Sequence, residues 1–195
     1  LKFYEKFDGS ITIGDNLQFK FLSPSFWRRH CGAVLQDGFI FNASIANNIA
    51  VGYEHPDISR LIAAAQMANI LTFIETLPNG FNTKLGVDGI GISQGQKQRL
   101  LIARAIYKDP EFLFFDEATN ALDANNERAI VEQMESFFKN RTVIVVAHRL
   151  STVKNADKIV VLDKGVIVEE GTHIELISKK GTYYSLVKNQ LELGN

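Results

Sequence analysis

Two carboxylates stand side by side behind four apolar residues in EFLFFDEAT, Glu111 to Thr119. Asp116 and Glu117 alternate in direction along an extended chain, so they cannot do the same job. One can hold Mg2+, mostly through water, as that cation prefers. The other can face an attacking water as its general base or positioner. An isolated Asp-Glu pair is usually a solvated loop, but the apolar run before it and ATNALD after it favour a site. A second apolar run, TVIVVA, ends on His148 and Arg149 within AHRLS. A lone histidine is more often structural. At the end of a second apolar strand, a place in the same site is the better reading.

The stretch GISQGQKQRL, Gly91 to Leu100, carries a third kind of chemistry. Ser93 suits an N-cap, and Gln96 stands at the capping-box spacing. The helix that follows presents free N–H groups and the positive end of its dipole at Ser93–Gln96. Gly95 allows close approach of a phosphate. Two readings stay open on spacing alone: a well-capped helix after a glycine-rich turn, or a phosphate-facing helix start. The chain has no G-x-x-x-x-G-K-[ST] loop, and none of its fourteen glycines precedes a lysine. A phosphate held at Ser93 would therefore not be cradled by such a loop of this chain.

Strands and helices must position these groups. CGAVLQD, Cys31 to Asp37, reads as a strand ending in polar residues, and GSITIGD as a short β-branched strand. SPSFWRRH suits a short helix with Ser23 as cap and Pro24 at its first position. SIANNIAVG and DISRLIAAAQMANILTFIETL have helical spacing, and PNGFNTKLGVDGIG is a turn-rich connector. SQGQKQRLLIARAIYKDP is a helix with Leu100, Leu101, Ala103 and Ile106 on its apolar side, closed by Asp109-Pro110. FLFF and TVIVVA read as strands buried on both faces, with the amphipathic helix ANNERAIVEQMESFFKN between them. STVKNA is a short helix. KIVVLDKGVIVEEG is a hairpin turning at Lys164-Gly165, and THIELISKK and TYYSLVKNQLEL are closing helices. The alternation predicts an α/β fold with a parallel sheet, whose ligands bind beyond the carboxyl ends of the strands.

The totals bound the rest. The 195 residues are enough for one domain with a real core, and 46% hydrophobic with 22% charged is ordinary for a globular chain. A net charge of -1 gives no footprint for nucleic acid or anionic lipid. The single cysteine, Cys31, excludes an internal disulfide. No apolar run reaches the ~18 residues of a membrane helix. The start, LKFYEKFDGS, has no signal-peptide pattern and reads as the end of a helix, so the chain is expected to be a fragment.

The motifs together resemble the ATP-binding cassette proteins over essentially the whole chain. ISQGQKQR is similar to the family signature, commonly LSGGQ-x-QR. FLFFDEAT resembles Walker B with its catalytic glutamate, NALD the D-loop, AHRLS the switch-histidine loop, and VLQDGFIFNASIANNI the Q-loop with the segment after it. The finer wording is similar to peptidase-containing, bacteriocin-type exporters. The resemblance implies a P-loop NTPase-like parallel sheet core with an inserted helical signature sub-domain. Residues 1–36 and 111–195 would form the α/β core and 37–110 the helical sub-domain. The N-terminal strands and Walker A would lie upstream of Leu1. Gln94 departs from the common glycine of the signature and is expected to be tolerated.

The resemblance also implies roles. Asp116 would support Mg2+. Gln36 would help bind Mg2+ and the attacking water and link the site to a transmembrane domain. Glu117 would be the base or water-positioner, and His148 would contact the γ-phosphate of ATP. Asp123 would act across a dimer. Ser93, Gly95 and Gln96 would meet the γ-phosphate of ATP held by a second nucleotide-binding domain. The implied activity is ATP hydrolysis driving export from the cytoplasmic face of the plasma (inner) membrane. The transmembrane domain would be on the same chain, and the cargo is not legible. The 195 residues alone are expected neither to hydrolyse ATP nor to fold stably. Two alternatives are a soluble cassette ATPase of DNA repair or translation and a degenerate domain that binds ATP for regulation. The first lacks its usual insertions and basic footprint here. The second is disfavoured by intact Glu117 and His148.

Overall fold

The computed structural model describes residues 1–4, 8–87, 89–116, 130, 133–147 and 153–193. The chain forms two compact units, Leu1–Ile144 and Val145–Asn195.

In the first unit, β1 (Thr12–Ile13) and β2 (Leu17–Gln18) pair antiparallel. Helix α1 (Pro24–Arg29) starts where expected: Ser23 Oγ accepts from the Phe26 N–H at 3.2 Å, and Pro24 takes the first turn. It sets buried Trp27 edge-on to Phe19 at 5.3 Å and against Phe112 at 4.7 Å. β3 (Cys31–Val34) lies parallel to β4 (Phe112–Asp116), with Cys31 opposite Phe112 and Val34 opposite Phe115. β5 (Thr142–Val146) follows in the order β3-β4-β5.

Parallel neighbours need a crossover, and the one between β3 and β4 is helical. It holds α2 (Ile45–Ile49), α3 (Ile58–Met67), α4 (Leu71–Thr76) and α5 (Gln94–Tyr107). α2 and α3 are capped by Ser44 and Asp57. The alanine-rich stretch after Asp57 is two helices rather than one. Asn69 stands in the left-handed region at φ 52, a conformation its short polar side chain tolerates and one that ends α3. Ala64 and Ala65, both buried, let α3 approach α5 closely. The connector Pro78–Gly91 has a 3-10 turn at Gly80–Asn82, and its Thr83 carbonyl accepts from the Ile45 N–H at 3.0 Å.

Two strand expectations need correction. In β4, Leu113 and Phe115 are buried, but Phe112 and Phe114 are only half-buried, on the side of Trp27. In β5, Ile144 is 49% and Val146 55% exposed, and Val143 and Val145 are half-buried. β5 has a neighbour on one side only in the described sheet, so an edge and a side-chain face stay open. Of the helix expected over residues 124–140, residues 130 and 133–140 are described; 130 and 133–138 are helical, with Ile130, Met134 and Phe137 buried, and 139–140 form a turn. Of STVKNA, residues 153–156 are described: a turn follows Val153, and the Ala156 N–H donates to the Val153 carbonyl at 3.0 Å.

The second unit is built on the expected hairpin of β6 (Ile159–Asp163) and β7 (Val166–Gly171). Lys164 at φ 48 and Gly165 at φ 80 make the two-residue turn, which needs positive φ at both positions. Helix α6 (His173–Lys179) opens on a capping box of Thr172 and Glu175. Helix α7 (Thr182–Leu193) is capped from the hairpin: the Glu169 carboxylate accepts from the Thr182 and Tyr183 N–H groups at 3.0 and 2.8 Å. Ile159, Val161, Leu176, Tyr183 and Val187 form this unit's core.

Candidate functional site

The parallel register decides which groups meet at the sheet. Val34 is opposite Phe115, so Asp116 and the turn bearing Gln36 leave the same, carboxyl end of adjacent strands. Both side chains are exposed there. Oxygen donors in a wet setting suit a hard cation that keeps several waters. Glu117, Asp123 and His148 lie outside the described residues, as does Arg149. His148 follows by two positions the end of β5, the strand beside β4.

The Gln36 turn is short. The Gly38 N–H donates to the Leu35 carbonyl at 3.2 Å. Gly38 lies directly on α5, where a Cβ would come within 2.3 Å of Leu101 Cδ1. No larger residue fits without displacing that leucine.

The start of α5 is the capping box that the spacing of Ser93 and Gln96 predicts. Ser93 Oγ accepts from the Gln96 N–H at 3.2 Å, and Gln96 Oε1 accepts from the Ser93 N–H at 2.8 Å. The first intrahelical bond is Lys97 N–H to the Ser93 carbonyl at 2.9 Å. The Gln94 and Gly95 N–H groups precede it and form the open donor end of the helix. Because Ser93 Oγ only accepts here, its hydroxyl hydrogen remains available to an anion. Ser93 and Gln94 are exposed, and Gly95 and Gln96 half-buried. Gln94 projects outward, so it leaves the box intact.

The structure keeps these two groups of residues apart. Near its C-terminal end, α5 lies on β3, where a Cβ on Gly32 would be 3.4 Å from the Ala105 carbonyl oxygen. Leu101 meets the Gln36 turn. Ser93 is eight residues further toward the helix start, about 12 Å along the axis at 1.5 Å per residue. Gln36 and Asp116 are thus gathered at the strand ends, and the Ser93 donors are held away on an exposed tip.

Two residues at the site carry no signal in the sequence. Arg104 lies in the helical stretch SQGQKQRLLIARAIYKDP and Asn48 in SIANNIAVG, and spacing singles out neither. In the structure Asn48 is fully buried. Its Oδ1 accepts from the Phe41 N–H at 2.8 Å, and its Nδ2 donates to the Phe41 and Ser44 carbonyls at 3.0 and 3.1 Å. The Arg104 guanidinium donates to the Asn48 carbonyl at 2.7 Å, to the Phe39 carbonyl at 2.9 Å and to Asn48 Oδ1 at 3.3 Å. Burial pushes the Arg104 pKa below its usual value.

Among the described residues no helix is long and apolar enough to cross a membrane. Residues 1–120 match the family model described as ABC transporter. The chain is 45% identical over 193 residues to the heterocyst differentiation ATP-binding protein HepA of Nostoc sp., covering 99% of this chain and 32% of that protein. It is 46% identical over 184 residues to the alpha-hemolysin translocation ATP-binding protein HlyB of Escherichia coli O157:H7, covering 94% of this chain and 26% of that protein. A solved bacterial Atm1-family ABC exporter with ATP bound superposes with a TM-score of 0.84 at 40% identity, over 90% of this chain and 31% of that one. The chain therefore spans about a third or less of the length of the proteins it matches. The family match, the level of identity and the shared fold agree: the chain belongs to the ABC transporter family.

Proposed function

We propose that this chain is part of the nucleotide-binding domain of an ABC exporter and that the whole protein hydrolyses ATP to drive export. The observation that carries the reading is the separation of the Ser93 donor tip from the Gln36–Asp116 strand ends. One chain holds two half-sites facing different ligands, and two copies closed head-to-tail would complete both. Ser93, Gly95 and Gln96 would then offer a hydroxyl, open N–H groups and a helix dipole to the γ-phosphate held by the partner. Residues 1–36 and 111–195 act as the α/β core and 37–110 as the helical sub-domain.

Asp116 and Gln36 would hold Mg2+, which neutralises charge on the transferring phosphoryl group when bound. Glu117 holds the attacking water or takes its proton, His148 contacts the γ-phosphate, and Asp123 acts across the dimer. Phosphoryl transfer asks mainly for positioning and charge neutralisation, and closure of two domains supplies both while excluding water. The transmembrane domain is placed on the same chain, with this part on the cytoplasmic side of the membrane. HlyB is named for translocating alpha-hemolysin, and a polypeptide cargo is the corresponding expectation here. The bacteriocin-type assignment is a finer proposal of the same kind.

The test is Glu117→Gln in the full-length protein. Hydrolysis should fall by about 100-fold or more, and an ATP-bound dimer should accumulate on size exclusion. Unchanged turnover would remove Glu117 from the mechanism and the reading with it.

A further inference from the structure

The loop after Gln36 is fastened to α5 from two sides. On one side Gly38 abuts Leu101. On the other, the Arg104 guanidinium spans the Phe39 carbonyl and both oxygens of Asn48, and lies 5.3 Å from the centroid of the Phe41 ring. Asn48 in turn holds Phe41, Ala43 and Ser44 by their backbones. Residues 39–48 are therefore hydrogen-bonded to α5 through Arg104 and Asn48, and Gly38 packs on the same helix. Between Gly38 and the end of β3 at Val34 only residues 35–37 remain, and Gln36 is the middle one. α5 touches β3 near Ala105, so a tilt of the helix about that end swings Ser93 widely. The same tilt must be absorbed at residues 35–37.

We propose that Arg104 is a positioning residue that couples the turn carrying Gln36 to the helix carrying Ser93, so that each half-site reports its occupancy to the other. The proposal rests on the function proposed above. A planar guanidinium holds its donors in a rigid fork spread over three nitrogens, whereas an ammonium directs all its donors from a single atom at the end of a flexible stem. Lysine keeps the charge and most of the packing and loses the fork, so Arg104→Lys isolates the coupling.

The experiment measures ATP affinity and steady-state hydrolysis in the full-length protein for Arg104→Lys and for Gly38→Ala, which presses the same turn off Leu101. Each should lower kcat by about tenfold or more, the scale of sub-ångström to ångström misplacement. Each should leave the ATP Kd within about twofold, because the reporting step rather than the binding step is disturbed. In a Gln36→Ala background, Arg104→Lys should add less than about a twofold further loss, since residues acting as a unit are not additive. Trp27 emission and a thermal melt check that the variants fold. If Arg104→Lys keeps kcat within about twofold, or if its loss multiplies with that of Gln36→Ala, the proposal is overturned. Should Arg104→Lys not fold, Gly38→Ala decides by the same two readouts, and failure of both to fold would make the contact a folding determinant and overturn the coupling. Absence of Glu117-dependent hydrolysis in the unsubstituted protein is a different result: it overturns the proposed function itself.

Discussion

At the residue scale, Ser93 carries two separable duties. As an N-cap it satisfies the Gln96 N–H. As an exposed hydroxyl beside open N–H groups it would, in the proposed function, meet the partner's phosphate. Ser93→Asp should keep the cap, because aspartate is as good a capping residue, and should abolish hydrolysis by placing a negative charge against the partner's phosphate. Ser93→Ala should cost about 1 kcal/mol of stability and reduce hydrolysis less severely. Ser93→Arg should abolish hydrolysis and spare ATP binding by the full-length protein. Denaturation midpoints, nucleotide binding and ATPase rates on the same preparations separate these outcomes. A Ser93→Asp protein with full activity would remove the phosphate-facing role.

At the element scale, caps and one helix break set the geometry. Asn69 occupies φ 52 between α3 and α4, and its carbonyl accepts from Arg99 Nη1 at 3.0 Å, one turn into α5. A β-branched residue is strained in that conformation, so Asn69→Val should lower stability by about 1–2 kcal/mol, read by denaturant unfolding of the full-length protein. In the second unit, the Glu175 carboxyl is held below its usual pKa, chiefly by accepting from the Thr172 N–H at 2.8 Å. A carboxyl with a depressed folded-state pKa contributes stability above its unfolded value of 4.5. That contribution is lost as pH falls through the lowered pKa. Glu175→Gln should therefore lessen the acid sensitivity of α6, measured as amide exchange against pH. An unchanged profile would assign the acid response elsewhere. The strands teach the opposite lesson about legibility. FLFF and TVIVVA read as buried on both faces, yet Phe112, Phe114, Ile144 and Val146 are not. An apolar strand declares that it can be buried, but what covers it is decided by other elements.

At the scale of the whole molecule, apolar surface is left open on the first unit, where Phe3, Ile11 and Ile144 are exposed. Phe3, Ile11, Trp27, Phe112, Phe114 and Ile144 line a cavity of about 660 Å³ in the first unit. A surface of this kind on an isolated chain favours association. The 195 residues alone should aggregate and show no ATPase activity. A monomeric preparation with a cooperative melt and Glu117-dependent hydrolysis would refute this.

The sequence by itself determined the local chemistry: the Ser23 and Ser93 caps, the Ser93–Gln96 box, the Lys164–Gly165 turn, and the order of strands and helices. Each depends on residues within a few positions of one another, so spacing suffices. The tertiary structure alone decided that Val34 pairs with Phe115, and so that Gln36 and Asp116 share one end of the sheet. It also decided that Ser93 stands away from them, and that Arg104 and Asn48 fasten the Gln36 loop to α5 across 56 positions of chain. A pairing across that separation leaves no periodic trace in a single sequence, because each partner's local pattern is the same whether or not the other arrives.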